Sequence, residues 1–207
     1  MHDSSPSELA HRLLDIAYDL TAASGPAAVS LRDVQRRAGV SAATAYWHYK
    51  DRADLLLAVS RRATAALADA LVDAIASRAG TDESDLSAVC FGYLQFARDH
   101  RGLFQAVVLN SSIEELMHPA DSARGRAGLA AFEVLQRAVA DFGQGKGAGS
   151  GTVTETHADT GETSIHVWAA CHGMAMLLID TPMATLPEEE QERLRHQHVR
   201  FVLNSVS

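Results

Sequence analysis

Apolar residues recur at helical spacing along most of the chain, and the residues between these runs predict where helices end. The first run places Leu9 and Leu13 on one face and predicts a helix over about 7–23. Gly25 and Pro26 follow this run, and such a pair ends a helix. The periodicity of the chain therefore predicts helices from its beginning.

Two short helices are predicted next, because each run is bounded by residue types that begin and end helices. Ser30 is a suitable N-cap for a helix over about 31–38, and Gly39 suits the left-handed residue that closes it. Ser41 is a suitable cap for a second helix over about 42–48. The residues between the two helices form the tight turn that a helix-turn-helix requires.

A long amphipathic helix is predicted over about 52–78, with Asp51 as its N-cap. Its apolar stripe comprises Leu55, Leu56, Val59, Ala63, Ala66, Leu67, Ala70, Leu71 and Ile75. A helix of this length can join two domains.

The remaining runs predict helices over about 82–100, 103–109, 122–142, 164–180 and 187–206. The segment 143–163 interrupts them, because it is rich in Gly and Thr and nearly free of large apolar residues. We expect this segment to be a flexible loop.

The composition favours an all-α fold, since hydrophobic residues form 47% of the 207 residues and Pro contributes only 5. Cys90 and Cys171 lie in apolar helical runs, where a free cysteine usually packs as a small hydrophobic residue. Both fit a reducing compartment. The N-terminus lacks the features of an export signal, and no run approaches the roughly 18 apolar residues of a membrane span. We therefore expect a cytoplasmic protein that does not enter the membrane.

The charge is unevenly distributed. The chain has a net charge of −8, yet the segment from Pro26 to Arg62 contains seven basic and three acidic residues, which leaves +4. A basic segment in an acidic chain is typical of a protein that presents one face to phosphates. The charge pattern and the helix-turn-helix therefore indicate the same partner, double-stranded DNA.

The second short helix has residues that suit the major groove, where its N-terminal end would meet base edges. Small residues at its start allow close approach, and Thr44, Tyr46 and His48 offer hydrogen bonds to bases or phosphates. Lys50 and Arg52 follow at the start of the long helix, where cationic side chains can bind the DNA backbone.

The stretch Ser30–Leu55 resembles the tetracycline-repressor family almost without gaps, and the run Tyr46–His48 is particularly similar to it. The resemblance implies that Arg32 contacts a base or a phosphate and that Arg52 holds a phosphate. The full set of predicted DNA-binding residues is Arg32, Ser41, Ala42, Ala43, Thr44, Tyr46, Trp47, His48, Lys50 and Arg52.

A second resemblance lies in the C-terminal part, where Trp168 and the pair His172-Gly173 are similar to a ligand-domain type within the same family. It implies that the last two helices pair with those of a second subunit in a four-helix bundle. Such a homodimer would place two recognition helices about one DNA turn apart, roughly 34–36 Å, on a palindromic operator.

The effector site is expected among aromatic, methionine and histidine residues of the C-terminal helices. The predicted ligand-binding residues are Tyr93, Phe104, Val107, Phe132, Trp168, His172 and Met176. Each of these residues could instead be part of a core. The spacing of His196 and His198 does not suit a metal site, and we expect neither a metal nor a cofactor.

The sequence thus predicts a helix-turn-helix DNA-binding domain over 1–52 and a ligand-binding and dimerisation domain over 53–207. The expected function is that of a transcription repressor that binds an operator as a dimer and is released by a small, apolar effector. One alternative is a DNA-binding regulator without an effector. Another is a helical enzyme that uses Cys171 and His172, although adjacent helical residues diverge by about 100° and we expect no enzyme.

Overall fold

The computed structural model describes residues 6–78, 80–109, 123–146 and 156–206, and within these ranges the chain is helical and contains no strand. The helices are α1 (Pro6–Ser24), α2 (Leu31–Ala38), α3 (Ala42–His48), α4 (Arg52–Ser77), α5 (Asp85–Asp99), α6 (Arg101–Leu109), α7 (Ala123–Lys146), α8 (Thr156–Asp180) and α9 (Glu188–Ser205). Short 3₁₀ turns at Pro26–Ala28 and Pro182–Thr185 precede α2 and α9. The predicted all-α fold is confirmed.

The described residues form two compact units. The first contains the described parts of Met1–Ala65 and His100–Arg126, and the second those of Ala66–Asp99 and Ala127–Ser207. The core of the first unit lies between α1, α2, α3, the start of α4 and α6, and includes Leu13, Ala17, Val29, Val34, Ala45, Leu55, Val59 and Ala106. Within the described residues, no helix is long and apolar enough to cross a bilayer.

The predicted helix boundaries around the turn are confirmed by their caps. The side chain of Ser30 accepts a hydrogen bond from the backbone N–H of Asp33 at 3.1 Å. Gly39 closes α2 in the left-handed region with φ of 67°. At the start of α4, the Asp51 carboxylate accepts a bond from the N–H of Asp54 at 2.8 Å. These bonds join residues three positions apart, so local chemistry defines these helix starts.

Helix α6 meets α1 in the first unit by direct backbone contact. A Cβ atom placed on Gly102 would lie 2.0 Å from the carbonyl oxygen of Thr21. That same carbonyl accepts the N–H of Gly25 at 2.8 Å, which closes the end of α1. Only glycine fits at position 102 without moving one of the two helices.

In the second unit, α5, α8 and α9 pack against one another around Leu86, Val89, Leu94, Val167, Ala175, Ile179, Val199 and Val202. Arg195 of α9 is only 2% exposed. Its guanidinium pairs with the carboxylates of Glu188 and Glu192, and Glu188 also pairs with Arg98 of α5. This network connects α9 to α5.

The predicted loop 143–163 is wrong at both ends, because α7 continues to Lys146 and α8 already begins at Thr156. Residues 147–155 lie outside the described part of the chain. Ser164, where sequence suggested a helix start, is buried inside α8, and its hydroxyl donates to the carbonyl of Thr160 at 2.6 Å. Low helix propensity over a few residues is outweighed when the neighbouring turns pack against other helices.

Candidate nucleic-acid interface and polar aromatic cluster

Helix α3 exposes the small residues of its first turn and two of its aromatic residues to solvent. Ala45 is fully buried and attaches α3 to the core, whereas Ala42 and Ala43 are exposed. Tyr46 is 54% exposed and Trp47 is 72% exposed. A largely exposed tryptophan leaves apolar surface in water unless a partner covers it. The exposed side of α3 therefore has the features of a contact surface.

The N-terminal end of α3 is ordered by hydroxyl groups. The Ser41 hydroxyl oxygen accepts from the N–H of Thr44 at 3.1 Å, and the two hydroxyls lie 2.7 Å apart. Farther along, the ring of His48 packs edge-on to Trp47 with 4.6 Å between centroids. Ser41, Thr44 and His48, three of the residues predicted to bind DNA, therefore contact close neighbours in sequence.

Helix α2 presents an exposed Arg32 next to a compact ion network. The carboxylate of Asp33 accepts from Arg36 at 2.6 Å and from Arg37 at 2.8 Å. These bonds lower the pKa of Asp33, so the carboxylate stays ionised and balances part of the positive charge.

Arg52 has a role that sequence reasoning missed. Its guanidinium donates to the backbone carbonyls of Val29 and Pro26, both at 2.7 Å, and so fixes the turn that precedes α2. Arg12, which was not singled out from sequence, similarly donates to the carbonyl of Ala38 at 2.8 Å. Both arginines stabilise the turns around the helix-turn-helix, and only the fold reveals these long-range contacts.

Lys50 is exposed just before α4, and its backbone N–H donates to the carboxylate of Asp54 at 3.1 Å. Tyr49 is half-buried against the core of the first unit. Its hydroxyl donates to the carbonyl of Ala10 at 3.3 Å. The backbone of Lys50 is thus fixed while its side chain extends into solvent.

A second group of predicted residues meets in the second unit, where α5, α7 and α8 contribute aromatic rings. The hydroxyl of Tyr93 lies 2.8 Å from Nδ1 of His172, and Nε1 of Trp168 donates to the Tyr93 hydroxyl at 3.4 Å. The ring of Phe132 lies 6.3 Å from that of Trp168. We call these four residues, Tyr93, Phe132, Trp168 and His172, the polar aromatic cluster.

Burial determines the charge state of the cluster. Tyr93 is only 8% exposed, and desolvation raises the pKa of its hydroxyl. Desolvation also lowers the pKa of His172 below the ordinary value. Both shifts favour the uncharged form at neutral pH. Trp168, in contrast, is 46% exposed, so part of its ring faces solvent.

The other three predicted ligand-binding residues fall in two places. Met176 follows His172 by one turn of α8 and is half-buried. Phe104 and Val107 belong to α6 in the first unit, where Phe104 is fully buried. The structure therefore unites the polar aromatic cluster and leaves Phe104 and Val107 with the core around α6.

The thiol of Cys171 has partners other than its sequence neighbour His172. Interaction with Cys90, and also with His198 of α9, lowers the pKa of Cys171, while the interaction with Cys171 raises the pKa of Cys90. Both cysteines are free and buried. The thiol and imidazole of the enzyme alternative thus have separate partners, because His172 pairs with Tyr93.

Two family models match the chain, one over the helix-turn-helix and the other over the polar aromatic cluster. The model described as bacterial regulatory proteins of the tetR family matches residues 13–59, which include the helix-turn-helix. The model described as a tetracyclin repressor-like C-terminal domain matches residues 86–202, more than half of the chain. The chain belongs to the tetracycline-repressor family. It is a DNA-binding transcription regulator with a helix-turn-helix.

Solved structures support the fold of this tetracycline-repressor family member. A protein of unknown function from Rhodococcus sp. RHA1 is 25% identical with a TM-score of 0.71, over 97% of this chain and 98% of that one. A tetR-family regulatory protein from Rhodococcus RHA1 is 18% identical with a TM-score of 0.61, over 94% and 97%. The fatty acid degradation regulator FadR from Bacillus halodurans is 13% identical with a TM-score of 0.66, over 94% of each chain. No curated protein matches the chain significantly.

Proposed function

We propose that this regulator is a homodimeric repressor that binds a palindromic operator and leaves it when a small, apolar effector binds. Residues 1–52 serve as the DNA-binding domain and 53–207 as the ligand-binding and dimerisation domain. The observation that carries the DNA-binding half is the capped turn before α3, which orders a helix with exposed Tyr46 and Trp47. In this proposal the ten residues predicted from sequence form the DNA interface.

Dimerisation is supported by apolar side chains on the last two helices that face water in the single chain. Ile165 and Leu177 of α8 are 54% and 45% exposed, and Phe201 of α9 is 65% exposed. The α8 segment 167–179 also has no Asp, Glu, Lys or Arg. A second copy of the chain would bury these residues in a four-helix bundle. The two α3 helices would then address half-sites about 34–36 Å apart.

Effector control is supported by the polar aromatic cluster, in which side chains from α5, α7 and α8 bring aromatic rings and hydrogen-bonding groups together. An effector that binds one arrangement of the helices better than another would change operator affinity by that difference. Coupling free energies between two sites are typically about 1–3 kcal/mol, and complete switching would need about 5.5 kcal/mol.

Selection of bound fragments from random double-stranded DNA tests the DNA-binding half. We expect a palindrome with half-sites one helical turn apart, bound by a dimer in analytical ultracentrifugation. Fragments without inverted symmetry, or binding by a monomer, would contradict the dimeric arrangement. Transcription from the selected operator, with and without the regulator, then distinguishes repression from activation.

A further inference from the structure

The exposed face of α2 presents charged side chains beside an open groove. Arg32 and Arg36 lie one turn apart on this face, whereas Val34 between them is fully buried. The groove has a volume of about 410 Å³ and is lined by Ser30, Arg32, Asp33, Gln35 and Arg36. The first helix of a helix-turn-helix crosses the DNA backbone. We therefore expect this face to meet phosphates when α3 lies in the major groove.

Asp33 distinguishes the three arginines of α2 from one another. Its Oδ1 accepts from Nη2 of Arg36 at 2.6 Å, and its Oδ2 accepts from Nε of Arg37 at 2.8 Å. Arg32 is exposed and forms no ion pair with any residue that the structure describes. One carboxylate thus engages two of the three guanidiniums and leaves Arg32 to other partners.

The two ion pairs of Asp33 are open to competition from phosphates. The side chains of Arg36 and Arg37 are 72% and 49% exposed, and ion pairs this exposed are weak. A phosphate can therefore replace the carboxylate as the partner of either arginine. The exchange leaves an ionised Asp33 beside a polyanion without its cations, so the carboxylate reduces what the new contact contributes to binding.

This competition affects random DNA and an operator differently. Affinity for random DNA depends almost entirely on the number of phosphates that basic side chains neutralise. On an operator, the base contacts of α3 fix the position of α2 along the backbone, so its arginines reach fewer phosphates. Arginines that are paired within the protein therefore lower the affinity for random DNA more than the affinity for the operator.

We propose that Asp33 is a specificity-determining residue of the DNA-binding domain, because it pairs with Arg36 and Arg37 and so limits their binding to the phosphates of random DNA. This inference rests on the DNA interface of the proposed function and does not depend on effector control. The carboxylate also suits the first turn of α2, where it complements the helix dipole. A purely structural role would change the stability of the first unit and leave the salt dependence of DNA binding unchanged.

Binding of random-sequence duplex DNA to Asp33→Asn, followed by fluorescence anisotropy over a range of salt concentrations, tests the proposal. We expect the affinity to rise about fivefold per subunit at about 0.15 M salt, the effect of one additional phosphate contact. The slope of log affinity against log salt should steepen by about 1 per subunit. The affinity for the operator found by selection should rise less, so the ratio of operator affinity to random-DNA affinity falls. An equal rise on both DNAs, or no rise on random DNA, would overturn the proposal.

Glu190→Gln is the matched control, because it changes the total charge by the same amount. Glu190 lies in the first turn of α9 and pairs with Arg193, three positions away, at 2.8 Å. We expect this variant to bind random DNA with the affinity and the salt slope of the unaltered chain. A rise equal to that of Asp33→Asn would mean that total charge explains the effect, and would overturn the proposal.

A double-mutant cycle measures whether the arginines are responsible for the rise. Arg36→Gln and Arg37→Gln, introduced together, should reduce the affinity for random DNA about fivefold more in Asp33→Asn than in the unaltered chain. The same reduction in both chains would mean that Asp33 acts only as a negative charge, and would overturn the proposal. Asp33→Glu keeps a carboxylate at this position and should retain the low affinity of the unaltered chain.

A comparison that leaves Asp33 in place keeps the proposal testable if circular dichroism shows that Asp33→Asn is unfolded. Arg32→Gln should make the salt slope on random DNA shallower by about 1 per subunit, and Arg36→Gln should change it less. Equal changes would overturn the proposal, because Arg36 would then bind phosphates as readily as Arg32.

Random DNA also separates failure of this inference from failure of the proposed function, because these measurements need no operator. A selection that yields no palindrome would contradict the dimeric arrangement, and the random-DNA affinities would still test Asp33. A palindromic operator together with unchanged random-DNA binding by Asp33→Asn would overturn the role of Asp33 and leave the proposed function standing.

Discussion

The helix-turn-helix and the polar aromatic cluster are built by interactions of very different range. The bonds that cap α2 and α3 join residues three positions apart, such as Ser41 and Thr44. The bonds of the cluster join residues 79 and 75 positions apart, from Tyr93 to His172 and to Trp168. A local bond forms as soon as its helix does, whereas a distant one requires that the helices are already packed.

The two regions also differ in the partner that their chemistry favours. The segment around the helix-turn-helix has a net charge of +4 and exposes polar side chains, which suits a polyanion whose binding weakens with salt. The α5 and α8 segments that supply Tyr93, Trp168 and His172 contain no Asp, Glu, Lys or Arg, and burial favours the neutral forms of Tyr93 and His172. The helix-turn-helix segment is therefore suited to a charged partner, whereas the polar aromatic cluster is suited to an uncharged one.

The largest expected effect is on the stability of the first unit, and it tests whether that stability depends on the contact between α1 and α6 as well as on local bonds. Gly102→Ala would place a Cβ 2.0 Å from the Thr21 carbonyl oxygen, so α1 and α6 must separate. We expect a loss of about 1–3 kcal/mol in the free energy of unfolding, measured with urea at fixed protein concentration. Gly128→Ala is the matched control, since nothing lies within 4 Å of its added Cβ. It should stabilise α7 by about 0.5–1 kcal/mol. Equal effects of the two substitutions would mean that the α1–α6 contact contributes little.

The second prediction concerns the electrostatic surface. Arg32→Ala and Thr44→Ala should each weaken operator binding by about 1–3 kcal/mol, while the dimer persists. Lys50→Ala should weaken binding to all sequences and reduce the slope of log affinity against log salt by about 1. Arg137→Ala removes an exposed arginine of the second unit and serves as the control. Dissociated dimers in the first two variants would show that these residues have a different role.

The difference in range explains what could be predicted from sequence. The sequence predicts Ser30, Gly39, Ser41 and Asp51 as caps, because a cap needs only a suitable residue type at one position relative to its helix. The family resemblance named Trp168 and His172 as candidates, but their bonds to Tyr93 require the fold. Arg52 illustrates the same limit. Its bonds to Val29 and Pro26 depend on where a turn 23 or more residues away is positioned.

A cap substitution measures the local contribution directly. Ser41→Ala removes the acceptor for the N–H of Thr44 and should destabilise the first unit by about 1 kcal/mol. Ser41→Asn keeps a capping oxygen and should recover most of that loss. Thermal unfolding followed by circular dichroism at fixed concentration gives both values. If the two variants lose equal stability, then the hydroxyl contributes through its contact with the Thr44 side chain rather than as a cap.

The smallest expected effect belongs to the cluster and depends on pH. Burial lowers the folded-state pKa of His172 below the 6.5 of an ordinary imidazole, so the unfolded chain takes up the proton more readily. The stability that neutral His172 contributes is therefore complete above pH 6.5 and declines as the pH falls below that value. The difference in unfolding free energy between the unaltered chain and His172→Gln should shrink from about pH 7.5 to about pH 5.5. Because both chains share every other titrating group, a difference that stays constant over this range would mean that His172 is as easily protonated in the folded protein as in the unfolded one. In that case His172 would become protonated, and the cluster would become charged, at the same pH at which an exposed histidine is protonated.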